Sequence, residues 1–175
     1  MDIGKSVNLF DIKLIVLDVD GTMTDGGVYI DNNGIESKKF SIKDGAGILL
    51  AETMGIEFMI LTGRESVCVS KRAQELRMKY VFQGISNKKE FLEAFITEKF
   101  LMKAEIAYIG DDLNDLAAMQ CVGICACPSN AANEIKDHCH ILLQNKGGEG
   151  VVREFVEIVL KQKGQWQEAI EKLFG

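Results

Sequence analysis

The sequence predicts an α/β fold: a Rossmann-like parallel sheet with helices on both faces, and a β-hairpin flap after the first strand. Three observations predict it. Short apolar runs alternate with helical patterns along the chain. The runs are continuously apolar, so both faces of each strand are expected to be buried, as in parallel sheets. An Asn-Gly step between the first strand and the first helix marks a tight turn.

The strands are expected at residues 14–19, 58–62, 80–82, 106–109 and 122–127, with a weaker one at 141–143. Helices are expected between them at about 44–54, 65–78, 87–100, 113–120 and 129–136. This repeated β-α order predicts parallel strands joined by crossover helices. The flap, at about 26–42, holds two β-like pieces, Val28-Tyr29-Ile30 and residues 37–41, around Asp31-Asn32-Asn33-Gly34. It is expected to stand over the carboxyl end of the first strand, where open α/β sheets bind ligands. A last amphipathic helix at about 149–162 carries Val151, Val152, Phe155, Val156, Ile158, Val159 and Leu160. Gly164 is expected to end it. Beyond it Trp166, Ile170, Leu173 and Phe174 form an apolar stripe on a tail, which could pack at home or on a neighbouring subunit.

At 175 residues the chain is expected to form a single domain over 1–175. It is 47% hydrophobic and 26% charged, which suits a globular core and excludes disorder or a disulfide-stapled miniprotein. A net charge of −6 argues against binding a nucleic-acid backbone. No apolar run reaches the roughly 18–20 residues of a membrane span. Residues 1–5 show no signal-peptide pattern, so a cytoplasmic location is expected. Cys121, Cys125, Cys127 and Cys139 lie near His138 and His140. Zinc is one reading, but the spacing is not a familiar zinc pattern, and buried thiols on a strand are the better expectation.

Four further features carry chemistry. The first strand ends in Asp18-Val19-Asp20-Gly21-Thr22. Carboxylates at i and i+2 of a strand share a face and repel unless neutralised. A hard divalent cation such as Mg²⁺ does this with oxygen ligands. Alone, the pair could equally be an ordinary Asp- and Gly-rich turn. The second feature, Gly110-Asp111-Asp112-Leu113-Asn114-Asp115, follows another buried strand and would bring Asp111 beside Asp18. Asp112 and Asp115 could simply cap the next helix. The third, Thr62-Gly63-Arg64, offers a hydroxyl and backbone N–H groups at a helix start, suited to phosphate. The fourth is Lys88, in Ser86-Asn87-Lys88-Lys89, which could neutralise developing charge.

Together and in this order, the four resemble the haloacid dehalogenase superfamily of phosphatases, over nearly the whole chain. The resemblance implies a Mg²⁺ cofactor held by Asp18, the Asp20 carbonyl and Asp111. It makes Asp18 the nucleophile, Asp20 the general acid and base, and Thr62 and Lys88 the phosphoryl holders. Asp112 and Asp115 would support the metal loop. The intervals leave no room for a separate cap domain, so the chain resembles the capless branch. Within it, the match is to 3-deoxy-D-manno-octulosonate 8-phosphate phosphatases and their sialate-type relatives. The matching pieces are Asp25-Gly26-Gly27, Lys39-Phe40, Asp44-Gly45-x-Gly47, Gln83-Gly84 and the segment from Gly147 to Glu154. That branch implies a sugar-acid phosphate substrate and a homotetramer in which a neighbour completes each active site. The glycine-rich 147–150 segment would belong to a tail reaching an active site.

Gly63, Arg64, Lys39 and Asp44 are the further expected substrate contacts, with Lys43 and Arg72 as weaker candidates. Arg64 fits the octulosonate enzymes, whereas Glu149 in Gly147-Gly148-Glu149-Gly150 looks more like nonulosonate 9-phosphate phosphatases. Two other classes compete: a non-catalytic oligomerisation module of sugar-acid activation, and a mutase or phosphotransferase. The intact motifs weigh against the first and the missing cap against the second. A phospho-acceptor signalling domain would place its acidic pair differently.

Overall fold

The structure, a computed structural model, describes residues 7–175. The expected absence of a signal peptide concerns residues that lie outside the described ones. Six parallel strands form one sheet in the order β5-β4-β1-β6-β7-β8. They are β1 (Leu14–Leu17), β4 (Glu57–Leu61), β5 (Tyr80–Phe82), β6 (Ile106–Ile109), β7 (Ile124–Cys127) and β8 (Ile141–Leu142). A separate antiparallel hairpin pairs β2 (Tyr29–Ile30) with β3 (Glu36–Ser37).

Alternation along each strand explains the continuous apolar runs, because the sheet has a core on each side. Ile15 and Leu17 of β1, Phe58 and Ile60 of β4, and Ala107 and Ile109 of β6 face one core. Leu14, Val16, Met59, Leu61, Ile106 and Tyr108 face the other. The first core is roofed by α1 (Ile42–Thr53), α2 (Val67–Glu75), α6 (Val151–Gln162) and α7 (Trp166–Phe174). The second is roofed by α3 (Lys88–Glu98), α4 (Leu113–Met119) and α5 (Asn133–His138).

Several expectations need correction. The predicted apolar tail is α7, a regular helix whose Trp166, Ile170 and Leu173 pack onto the first core; only Phe174 is left exposed. The stripe recurs at helical spacing, so a second amphipathic helix satisfies it at home. The 147–150 segment, expected in a tail that reaches an active site, leads into α6 and lies against its own chain. Gly148 N–H donates to the Thr22 carbonyl at 2.9 Å, seating the segment against the turn that follows β1. A Cβ on Gly147 would lie 1.7 Å from the Gly21 carbonyl oxygen, so only glycine fits there. The helix expected at 129–136 starts at Asn133, because 128–131 close a turn with Ala131 N–H on the Pro128 carbonyl.

The topology sets the site. From β1 the chain runs outward to β4 and β5, then crosses back to β6, β7 and β8 on the other side. Ligands in such sheets bind at the carboxyl ends where the strand order reverses. In register, Leu17 lies opposite both Ile60 and Ile109. Asp18, Thr62 and Asp111 therefore follow three neighbouring strand ends.

Candidate active site

A cleft of about 220 Å³ opens at those strand ends, lined by Asp18, Asp20, Thr62, Gly63, Arg64, Asp112 and Asn114. Past β1 the backbone coils through a tight turn, Val19–Met23, in which Gly21 takes φ 90°. A side chain on Gly21 would meet an Asp111 carboxylate oxygen at 2.0 Å, so the glycine lets the two acidic loops approach.

The floor of the cleft is a buried charge cluster. Asp18, Lys88 and Asp115 are all nearly or fully inaccessible. Lys88 Nζ donates to Asp18 at 2.7 Å and to Asp115 at 2.6 Å. Asn87 caps α3, its side chain accepting from Glu90 N–H, so the helix start aims Lys88 inward. Asp115 also accepts from the Tyr108 hydroxyl at 2.8 Å and from Asp111 N–H at 3.1 Å. With its oxygens so engaged, Asp115 braces the Asp111 loop. Asp112 does what the plainer reading expected, accepting from Leu113 N–H at the start of α4.

Asp18, Asp111 and Asp115 each offer an oxygen within 4.8 Å of one another. Burial, then the Asp115 charge, push Asp18 up to about 7, with Lys88 opposing. Burial, then Asp18 and Asp115, push Asp111 up to about 7. Burial disfavours the Lys88 charge, but Asp18 and Asp115 outweigh it and hold Lys88 above its ordinary value. With all three carboxylates ionised, one ammonium would leave two negative charges uncompensated in a largely buried site. A hard divalent cation matches that deficit and these oxygen donors, so the residues fit Mg²⁺.

The rim is different. Lys38, just past β3, is paired with Asp20, and its side chain is 1% exposed. Glu36 lies 3.5 Å from Lys38 Nζ and accepts from Arg64 Nη2 at 2.5 Å and from Ser66 Oγ at 2.6 Å. Arg64 Nη1 lies 3.7 Å from the other Asp20 oxygen. Asp20 thus sits between two cations that Glu36 bridges.

The structure brings together Asp18, Asp20, Thr62, Gly63, Arg64, Lys88, Asp111, Asp112 and Asp115. It does not bring Lys39, Asp44, Lys43 or Arg72 to the cleft lining. Lys39 is exposed and lies 4.0 Å from Asp25, because residues 38 and 39 point to opposite sides of an extended segment. The buried Asp44 carboxylate accepts from Gly150 N–H at 3.3 Å and Arg153 N–H at 2.9 Å, anchoring the start of α6. Arg72 donates to Glu75 and to the Ser41 carbonyl. Sequence reasoning missed Lys38, Glu36, Ser66 and Asn114; Glu36 and Lys38 carry an i, i+2 signal that could have found them. The thiols Cys121, Cys125 and Cys127 are free and buried in the second core. Cys125 Sγ lies 3.1 Å from His140 Nδ1. Among the described residues, the aspartates are the one group of three metal-ligating side chains within 4.8 Å.

A parallel sheet with paired acids at its reversal point defines a class, and comparison agrees. Residues 81–155 match the model of the haloacid dehalogenase-like hydrolases. The chain belongs to that family. It is 36% identical over 167 residues to the 3-deoxy-D-manno-octulosonate 8-phosphate phosphatase KdsC of Escherichia coli strain K12, covering 95% of this chain and 87% of that one. A probable YrbI family phosphatase from Pseudomonas syringae superposes with a TM-score of 0.91 at 36% identity, covering 95% of both chains. The 3-deoxy-D-manno-octulosonate 8-phosphate phosphatase of Moraxella catarrhalis, solved with magnesium ion, phosphate ion and KDO, superposes with a TM-score of 0.90 at 33% identity, covering 94% of both chains.

Proposed function

We propose that the chain is a Mg²⁺-dependent phosphatase that hydrolyses 3-deoxy-D-manno-octulosonate 8-phosphate to the sugar acid and phosphate. The observation that carries the reading is the largely buried cluster of Asp18, Lys88, Asp111 and Asp115 at the end of β1, short of two positive charges when its carboxylates are ionised. The similarity to the Escherichia coli and Moraxella catarrhalis enzymes supports the substrate.

Asp18, Asp111 and the Asp20 carbonyl would hold the metal, which when bound screens the phosphoryl charge. Thr62, Gly63 and Lys88 receive the phosphoryl group at the ends of β4 and α3. Asp18 attacks phosphorus; its oxygen bonds to phosphorus as the ester bond breaks, giving an aspartyl-phosphate. Asp20 delivers a proton to the leaving oxygen. It then takes a proton from the water that attacks phosphorus and frees Asp18. Lys88, fixed by Asp115, offsets the charge on the phosphoryl oxygens.

Glu149 favours a second substrate, a nonulosonate 9-phosphate, and it is exposed on the turn seated beside the cleft loop. We also propose a homotetramer with the hairpins at its centre. Val28, Tyr29, Ile30 and Ile35 leave an apolar strip exposed on the flap, which supports an interface there. We also propose a cytoplasmic location. Among the described residues no helix is long and apolar enough to cross a membrane.

Phosphate release from the octulosonate 8-phosphate, a nonulosonate 9-phosphate and hexose phosphates, with Mg²⁺ and with EDTA, tests the reading. Metal-dependent turnover favouring the octulosonate is expected. A preference for the nonulosonate would move the assignment to Glu149's side, and no turnover of any ester by folded protein would reject it.

A further inference from the structure

We propose that Lys38 is a positioning residue that holds the general acid–base Asp20 by one carboxylate oxygen, leaving the other to carry the proton. The inference rests on the phosphatase reading above and assigns a role to a residue that reading does not use.

Four observations carry it. The Lys38 ammonium is paired with Asp20 Oδ1, and its side chain is 1% exposed although the hairpin around it is open to solvent. That is the only side-chain hydrogen bond of the Asp20 carboxylate among the described residues. Oδ2 faces Arg64 at 3.7 Å, too far for a hydrogen bond, and so is free to bear or accept a proton. Glu36 is fastened to Arg64 and Ser66, beyond the end of β4, which anchors β3 just before Lys38.

A buried lysine on a solvent-exposed hairpin loses hydration and rotamer freedom, so its placement needs compensation. The compensating partner is the one acid that must change protonation state twice per turnover. When Asp20 gives its proton to the leaving oxygen, it becomes a carboxylate. Lys38 then pairs that charge and keeps the side chain in the rotamer from which Oδ2 accepts the proton of the incoming water. Proximity of this kind is lost steeply with small misplacements. Lys38 itself exchanges no proton in the cycle.

The test is kcat/KM for a series of phosphate monoesters, from dinitrophenyl through nitrophenyl and phenyl to alkyl, for wild type, Lys38→Met and Lys38→Arg. A dinitrophenolate leaves without help, whereas an alkoxide needs its proton delivered. Lys38→Met is expected to lose about 10–100-fold on alkyl esters and only a few-fold on the dinitrophenyl ester. Lys38→Arg, which keeps a charged donor, is expected to fall between. A loss of equal size along the whole series, or no loss on alkyl esters, would overturn the role of Lys38. Should Lys38→Met fold poorly, the slope of the series for Lys38→Arg decides in the same way. Absence of ester turnover by the wild-type protein would instead overturn the phosphatase reading beneath it, so the two failures are distinguishable.

Discussion

The floor and the rim of the cleft carry similar charges but are held by different means. Asp18, Lys88, Asp111 and Asp115 hang from β1, α3, β6 and α4, and every partner is fixed by the sheet or by a helix packed on it. Asp20, Lys38, Glu36 and Arg64 bridge the first turn to a hairpin of two-residue strands, held to the body mostly by side chains, with one isolated backbone bridge, Thr24–Phe40, among the described residues. Rigid elements place groups more accurately than ribbons do. The floor is therefore suited to the bond-making steps, and the rim to steps in which a group must be engaged and released.

Breaking the floor should have the largest effects. Asp18→Asn is expected to lower kcat by more than about a thousandfold, since it removes the nucleophile while keeping the shape; phosphate release measures it. Chelation by EDTA should abolish turnover reversibly. Mg²⁺ should also raise the melting temperature, because it relieves repulsion among buried carboxylates, and Asp111→Asn should blunt that rise. Calorimetry with and without the ion tests this. Lys88→Met should cost activity about as severely as loss of an oxyanion donor, on the order of a hundredfold or more.

Changes away from the floor should be smaller. Asp44→Ala should destabilise the fold by about 1–3 kcal/mol, because two N–H groups of the α6 start lose a buried acceptor; denaturant unfolding reads it. Replacing Ile30 and Ile35 together by aspartate should lower the mass in sedimentation if the flap is a subunit interface, with the fold intact.

The same contrast decides what was legible in the sequence. Floor residues sit in short motifs directly after apolar runs, so Asp18, Thr62 and Asp111 follow from strand ends and neighbouring register. Rim residues depend on the phase of a short hairpin. A one-residue change of phase exchanges the faces, and it separates the expected Lys39 from the observed Lys38. Asp44 differs for another reason: a carboxylate at the start of a helix can serve a ligand or another helix, and packing shows that the start of α6 engages it. The thiols around Cys125 were legible as core, since they alternate with Ile124 and Ala126 across the two sides of β7.

The most direct test of the central claim is to mix enzyme, Mg²⁺ and the octulosonate 8-phosphate, quench with acid within the first turnovers, and locate any phosphoryl group by peptide mass spectrometry. The account predicts a transient phosphoryl group on Asp18 that is absent with EDTA. A phosphoryl group on another residue, or turnover that survives Asp18→Asn, would contradict it.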